Sequence, residues 1–173
     1  MLWFPGSQAK QCIVESIIRD MTQQDLSEVL TINQAARPAV GSLDVDGLSA
    51  LLVWCAHARV IVDGEQILGY LLAMEPGQPY ASVNYRYFEP SLTDHVYVDR
   101  IAVSDAHRDQ GIGLALYQDL FQRVPGRPVS CEVNVVPMNA GSLRFHHRLG
   151  FESVGEQETE SGKKRVCLLV RRP

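Results

Sequence analysis

The sequence predicts an α/β (α+β) fold in which a mixed central sheet of about seven strands is flanked by about four helices. Three observations support this prediction. Short apolar runs rich in β-branched residues recur along the chain, as in 96–103 and 129–136. Amphipathic patterns of helical period separate several of these runs, most clearly over 112–124. Clusters of glycine, proline and polar residues, such as 125–128, mark the boundaries. The expected order is β-α-α-β-β-β-α-β-α-β-β.

Helix and strand signals alternate in the first half of the chain. Thr22 stands before a polar turn and an apolar stripe, which is typical of a helix cap. The sequence Asp63-Gly64-Glu65 is a strong hairpin signal, so the runs on either side of it are expected to pair as strands. The elements expected here are a strand over 13–19, helices over 22–32 and 46–57, and strands over 59–62 and 66–74.

The segment 80–89, YASVNYRYFE, is rich in aromatic residues for a connection between strands. Three interpretations are open. The segment is a loop pinned onto the body of the protein by its aromatic rings, or a contact between two copies in a dimer. It is alternatively a lid or wall of a binding site, because long excursions in compact domains often carry function.

The middle of the chain joins a strand over 96–103 to a helix over 112–124 through the loop Arg108-Asp109-Gln110-Gly111-Ile112-Gly113. The first N–H groups of a helix have no partner within the helix, and the helix dipole adds positive charge there. Glycine lets an anion approach these groups closely. The loop therefore predicts an anion-binding helix start suited to a pyrophosphate. The alternative is a turn that simply requires glycine.

Two widespread phosphate-binding loops do not match this segment. No Lys-Ser or Lys-Thr follows a glycine, as a Walker loop requires. A dinucleotide-binding fingerprint needs glycine or alanine three positions after Gly113, where the chain has Leu116. Glu132 lies early in its strand rather than at the strand end, where a ribose-binding acid belongs. A dinucleotide-binding oxidoreductase is therefore the weaker hypothesis.

The last part of the chain is expected to add strands and one helix. Asn139 is in position to cap a helix, and Gly150 is typical of a helix stop. The expected elements are a strand over 129–136, a helix over 140–148, a strand over 151–155, a polar turn over 156–164 and a strand over 165–171.

The central loop and the segment after it resemble motifs A and B of the GNAT N-acetyltransferases. The strand end Ile101-Ala102-Val103 precedes Arg108-x-x-Gly111-x-Gly113, which matches the Arg/Gln-x-x-Gly-x-Gly/Ala consensus of motif A. Cys131-Glu132-Val133-Asn134, then Asn139 and Leu149-Gly150-Phe151, resemble motif B. The letters YVDRI before motif A make the chain most similar to uncharacterised bacterial members. The two motifs are specific in combination.

The resemblance implies the GNAT fold and acetyl transfer from acetyl-CoA, as a cosubstrate, to an amine of a small molecule or a protein. In that family the central strand bulges and exposes a backbone N–H to the thioester carbonyl. The acceptor groove is expected to lie near the loops around 35–47 and 76–93. The expected cofactor-binding residues are Ile101, Ala102 and Val103 at the bulge, Arg108, Asp109, Gln110, Gly111, Ile112, Gly113 and Leu114 at the pyrophosphate, and Asn139 and His146.

Three residues are candidates for the chemistry, since the attacking amine must lose a proton to a base. Glu132 is the first, because it is a charged residue within an apolar strand; the alternative is a glutamate that faces solvent or pairs with an arginine. Asp99 is the second, with an ion pair to an arginine as its alternative. His146 stands seven residues after Asn139, where the family commonly has a tyrosine that protonates the leaving thiolate. It either donates that proton or packs beside CoA.

Composition and charge limit the partners. The length of 173 residues predicts a single domain over 1–173, with 1–11 as a loosely ordered leader. The net charge of −4 gives no basic footprint for nucleic acid, and no apolar run has the length of a membrane helix. The four cysteines form no C-x-x-C pair, so no metal site is expected and a cytoplasmic location is favoured.

The acceptor and the oligomeric state are left open by the sequence. A homodimer and a monomer are both compatible with it. A non-catalytic acyl-CoA-binding or sensory domain is the alternative function, because the usual tyrosine is replaced by His146.

Overall fold

The computed structural model describes residues 16–173. The expected leader over 1–11, the cysteine at position 12 and the start of the strand expected over 13–19 lie outside the described residues. Within 16–173, every helix is too short or too polar to cross a lipid bilayer.

The centre of the fold is a mixed seven-stranded sheet, as the sequence predicts. Its strands are β1 (Ile17–Asp20), β2 (Cys55–Asp63), β3 (Gln66–Met74), β4 (Val96–Val103), β5 (Val129–Val136), β6 (Glu152–Thr159) and β7 (Lys164–Arg171). They lie in the order β1-β2-β3-β4-β5-β7-β6. Neighbouring strands are antiparallel except β4 and β5, which run parallel.

Helices cover both faces of the sheet, and there is one more than expected. They are α1 (Leu26–Ala35), α2 (Val45–Trp54), α3 (Val83–Phe88), α4 (Ile112–Arg123) and α5 (Ala140–Arg148), with short 3-10 turns at Gln23–Asp25, Asp105–His107 and Glu160–Gly162. The additional helix, α3, lies inside the aromatic segment 80–89. Ser82 caps it by accepting a hydrogen bond from the Tyr85 N–H at 3.3 Å, and it buries Tyr85 and Phe88 completely.

Several predicted boundaries are wrong. The strand expected over 59–62 begins at Cys55, and the first helix continues to Ala35. The helix expected over 46–57 ends at Trp54, because Cys55 is extended and pairs with Met74 on β3. Pairing with β3 at Cys55 outweighs the apolar pattern that favoured a longer helix. The polar turn expected over 156–164 is mostly strand, since β6 continues to Thr159. Its polar residues are tolerated because β6 is an edge strand paired only with β7 among the described strands.

The sheet separates two apolar cores. The helices α1, α2 and α3 pack on one face, and α4 and α5 pack on the other. Each large apolar side chain buried in these cores contributes roughly 1.5–3 kcal/mol. Because side chains alternate along a strand, Cys131 and Val133 of β5 point to the α4 face. Glu132 and Asn134 therefore point to the face that carries α1, α2 and α3.

The strands β4 and β5 diverge within the sheet. Their ladder ends at Val98 and Cys131. The next residue of β4, Asp99, is an extra residue in the pairing with β3, where the register shifts between Leu72 and Ala73. A bulge bends its strand and increases the local twist. The ends of β4 and β5 consequently separate and leave a cleft that reaches both faces of the sheet.

Candidate active site

The separated ends of β4 and β5 form the floor of a large cleft. Its volume is about 1290 Å³, above the roughly 300–1,000 Å³ of a pocket for one small ligand. The walls come from the loop before α4, the exposed side of α5, the segment 35–41, and Tyr80 with Ser82 ahead of α3. The cleft therefore has room for a cofactor and a second molecule.

The start of α4 fits an anion. Gly111 is its N-terminal cap with φ 83°, and no described side chain caps the helix. A Cβ on Gly111 would meet no protein atom within 4 Å, so only the backbone conformation requires glycine here. Asp109 also has a left-handed backbone, with φ 60°. The N–H groups of the first turn of α4 thus face the cleft without a side-chain partner.

Helix packing favours the absence of a side chain at Gly113. A Cβ on Gly113 would lie 3.1 Å from Cζ of Phe145 on α5. Because Gly113 has no side chain, α4 and α5 approach closely beside the cleft. Sequence reasoning assigned both glycines to anion approach, but the side chain that Gly113 avoids is Phe145.

Two further cofactor candidates, Arg108 and Asn139, have partners within the protein. Nη2 of Arg108 lies 2.6 Å from a carboxylate oxygen of Asp105, and both side chains are exposed. The side chain of Asn139 accepts a hydrogen bond from the Ser142 N–H at 3.1 Å and caps α5, as predicted. Both residues line the cleft.

The residues Ile101, Ala102 and Val103 line the cleft along the free edge of β4. Their other edge pairs with β3. The expected bulge is present on β4, but it lies at Asp99 and not at 101–103. The 101–103 segment has no partner on the β5 side among the described strands, because β5 has already turned away.

Glu132 projects into the cleft from β5 and is half-buried. Nδ2 of Asn84 donates a hydrogen bond to its Oε1 at 3.1 Å, and the Tyr97 hydroxyl donates to its Oε2 at 2.8 Å. Burial and then the negative charge of Asp99 raise the pKa of Glu132 to about 7, against the opposing effect of the two hydrogen bonds and of the Lys164 charge. Such a carboxyl group can accept and release a proton near neutral pH.

Asp99 is held by two donors. The Tyr80 hydroxyl donates to its Oδ1 at 2.7 Å, and Nε of Arg100 donates to its Oδ2 at 2.8 Å. Arg100 also donates from Nη1 to Oδ1 of Asn33 at 2.9 Å. The ion pair with an arginine that was the alternative for Asp99 is therefore present. Because its carboxylate is paired with the Arg100 guanidinium, whereas both hydrogen-bond donors to Glu132 are uncharged, Asp99 is the weaker candidate for a base.

His146 is buried between α4 and α5. Its Nδ1 lies 2.8 Å from the carbonyl oxygen of Ser142, to which it donates. Its Nε2 therefore accepts the hydrogen bond from the Tyr117 hydroxyl at 2.9 Å. Burial lowers the pKa of His146 to about 4. The ring is neutral at pH 7 and both nitrogens are engaged, so the expectation that an imidazolium at this position protonates a leaving group does not fit this geometry.

Sequence reasoning missed four polar partners at the site, Tyr80, Asn84, Tyr97 and Tyr117. Tyr80 and Asn84 belong to the aromatic segment 80–89. One interpretation of that segment, a lid or wall of a binding site, agrees with their positions. That segment is also pinned by its rings, because the rings of Tyr85 and Tyr97 lie 5.3 Å apart between centroids, edge to face. Tyr97 and Tyr117 gave no signal, since a tyrosine in an apolar run normally belongs to the core.

The family model described as "Acetyltransferase (GNAT) family" matches residues 17–151. The chain belongs to the GNAT acetyltransferase family. L-2,4-diaminobutyric acid acetyltransferase of Nocardia farcinica (strain IFM 10152) is 28% identical over 142 residues. That alignment covers 79% of this GNAT chain and 64% of the relative, so the chain spans a little under two thirds of the relative's length.

Two solved structures superpose on this chain over most of its length. Ard1 from Thermoplasma volcanium superposes with a TM-score of 0.74 at 17% identity, covering 92% of this chain and 98% of that one. NAA60 of Arabidopsis thaliana in complex with acetyl-CoA gives a TM-score of 0.74 at 16% identity, covering 92% and 100%. The predicted GNAT fold is therefore confirmed.

Proposed function

We propose that this protein is an N-acetyltransferase that moves the acetyl group of acetyl-CoA directly to an amine. The observation that supports this most strongly is Glu132, whose pKa is raised to about 7 in a cleft where β4 and β5 separate. A base of this kind is what an ammonium substrate needs before it can attack a thioester.

The start of α4 is the proposed pyrophosphate site of acetyl-CoA. Backbone N–H groups between Asp109 and Leu114 bind the two phosphates, and Gly111 gives them unobstructed access. Arg108 lies beside these N–H groups and forms an ion pair with Asp105. Asn139 and His146 line the same cleft from α5. Acetyl-CoA supplies the activated acetyl group, and the protein supplies position and the base.

Glu132 is the proposed general base. It takes one proton from the acceptor ammonium, the amine nitrogen forms a bond to the thioester carbonyl carbon, and the carbon–sulfur bond breaks. The second proton lost by the nitrogen goes to the departing thiolate, so that CoA is released as the thiol. The free edge of β4 at Ile101, Ala102 and Val103 offers backbone N–H to the carbonyl oxygen, where one preorganised donor contributes about 3–4 kcal/mol. Asp99 acts as a positioning residue between Tyr80 and Arg100.

His146 is proposed to position Tyr117 and not to act as a cationic acid. Nε2 of its neutral ring accepts a hydrogen bond from the Tyr117 hydroxyl at 2.9 Å and so fixes the position of that hydroxyl. This differs from the role expected from its place in motif B, where the family commonly has a tyrosine.

A cytoplasmic location is proposed because Cys55, Cys131 and Cys167 form no disulfide within residues 16–173. Acetyl-CoA and an amine are the proposed partners. A homodimer remains an alternative to a monomer.

Two measurements test the proposal. Calorimetry should detect binding of CoA and no binding of NADH. Release of free CoA from acetyl-CoA should then depend on an amine from a panel that contains monoamines, polyamines, peptides and diamino acids, including the L-2,4-diaminobutyric acid named for the Nocardia relative. Binding of CoA without turnover of any amine would instead favour the non-catalytic, sensory function.

A further inference from the structure

One half-buried cation of the cleft has no partner among the described residues. Lys164 is the first residue of β7, lines the cleft and is half-buried. No hydrogen bond or ion pair of its ammonium group is present among the described residues 16–173. Its neighbours differ, because Lys163 is exposed to solvent and Arg165 is paired with Glu156 at 3.3 Å.

Lys164 and Glu132 belong to the same face of the sheet. Glu132 lies opposite Leu168 in the ladder between β5 and β7, and Asn134 lies opposite Val166. Leu168 and Val166 both pack in the core under α1, α2 and α3. Lys164 lies two residues before Val166 on β7, so it belongs to the same face of the sheet and not to the face that carries α4.

The two charges are near each other without forming a pair. The Lys164 ammonium contributes to holding the pKa of Glu132 down, yet the carboxylate takes its hydrogen bonds from Asn84 and Tyr97. The remaining carboxylate of the cleft floor, Asp99, is paired with Arg100. The proposed base therefore stands beside a cation without a described partner, on the face of the sheet that carries α1, α2 and α3, where the acceptor groove is expected.

We propose that Lys164 binds a carboxylate of the acceptor, so that the acceptor is a small amino acid whose amine lies at Glu132. This inference rests on the proposed function. A zwitterion or diamino acid complements both charges of the cleft. A polyamine would bring a second cation toward Lys164, and a peptide N-terminus would leave the half-buried ammonium without a partner, which is costly.

Matched pairs of acceptors test the inference. L-2,4-diaminobutyrate and 1,3-diaminopropane, ornithine and putrescine, and lysine and cadaverine differ only by a carboxylate. Steady-state rates at saturating acetyl-CoA should give a lower KM for the amino acid of at least one pair. Lys164→Met should raise that KM about 10- to 100-fold, as expected for loss of a hydrogen bond between charged groups. Because Lys164 also lowers the pKa of Glu132, the rates are compared at a pH well above the ionisation of Glu132, where the variant should leave kcat and the KM of the decarboxylated amine nearly unchanged.

Two further variants make the test specific. Lys163→Met removes the adjacent exposed charge and should change neither KM. Lys164→Glu should raise the KM of the amino acid further and lower the KM of the diamine, which loss of folding cannot produce. Equal KM values within every pair, or equal effects of Lys163→Met and Lys164→Met, would overturn the inference while the acetyltransferase function stands.

Binding to the CoA-saturated protein separates the two proposals. Calorimetry should show that an amino acid binds the parent and Lys163→Met but not Lys164→Met. Binding of this kind without acetyl transfer would overturn the proposed function and support the carboxylate site. If no amino acid binds and none is acetylated, the inference is overturned.

Discussion

Removal of the Tyr97 hydroxyl is expected to raise the pKa of Glu132. Tyr97→Phe keeps the buried ring but deletes the O–H that donates to Glu132 Oε2 at 2.8 Å. That bond stabilises the charged carboxylate, so its loss favours the protonated form. A hydrogen bond to a charged group contributes about 1.5–3 kcal/mol, and about 1.4 kcal/mol corresponds to one pKa unit. Because Asn84 still donates to the other oxygen, we expect the lower end of this range, a rise of about one unit.

The assay is a pH profile of kcat/KM for the acceptor at saturating acetyl-CoA. The parent should show the ionisation of Glu132 at about pH 7 and that of the free amine at higher pH. Only the lower of the two should move upward in Tyr97→Phe. Tyr85→Phe is the matched control, because the Tyr85 hydroxyl contacts the Glu75 carbonyl and the Gln78 N–H instead. An unchanged lower ionisation in folded Tyr97→Phe would refute its assignment to Glu132.

Three other changes have expected outcomes. Glu132→Gln should lower kcat about 10- to 1000-fold with CoA affinity unchanged by calorimetry, as for loss of a general base; equal activity, with Asp99→Asn inactive, would move the role to Asp99. Gly111→Val should cost stability in urea, roughly 1–2 kcal/mol for a left-handed residue, and weaken CoA binding, and unchanged affinity would contradict the phosphate site. His146→Phe should leave both ionisations of the pH profile in place, because the pKa of His146 is lowered to about 4; a lost limb would show that the ring titrates in catalysis.

The fold could be predicted because its signals are local. The loop from Arg108 to Gly113, the cap at Asn139 and the stop at Gly150 act within a few residues of themselves, and the structure has each in place. The alternation of apolar residues along β4 and β5 likewise identified both strands. The boundary at Trp54 could not be predicted, because the pairing of Cys55 with Met74 on β3 decides it.

The chemistry of the site depends on contacts that are distant in sequence. Tyr97 and Glu132 are 35 residues apart, and Tyr117 and His146 are 29 residues apart. Glu132 was identified as a charge within an apolar strand, but its raised pKa follows from burial and from the charge of Asp99 on the neighbouring strand β4. For His146, the unperturbed pKa of about 6.5 suggested an acid, whereas burial between two helices makes it neutral.

A single-turnover experiment tests acetyl transfer most directly. The protein is mixed with a stoichiometric amount of isotopically labelled acetyl-CoA and an excess of the best amine, and the products are followed by mass spectrometry. The account predicts that label appears on the amine as CoA is released, that the protein never carries it, and that Glu132→Gln slows the step. Label on the protein before the amine, or CoA binding with no acetylated amine, would contradict direct transfer.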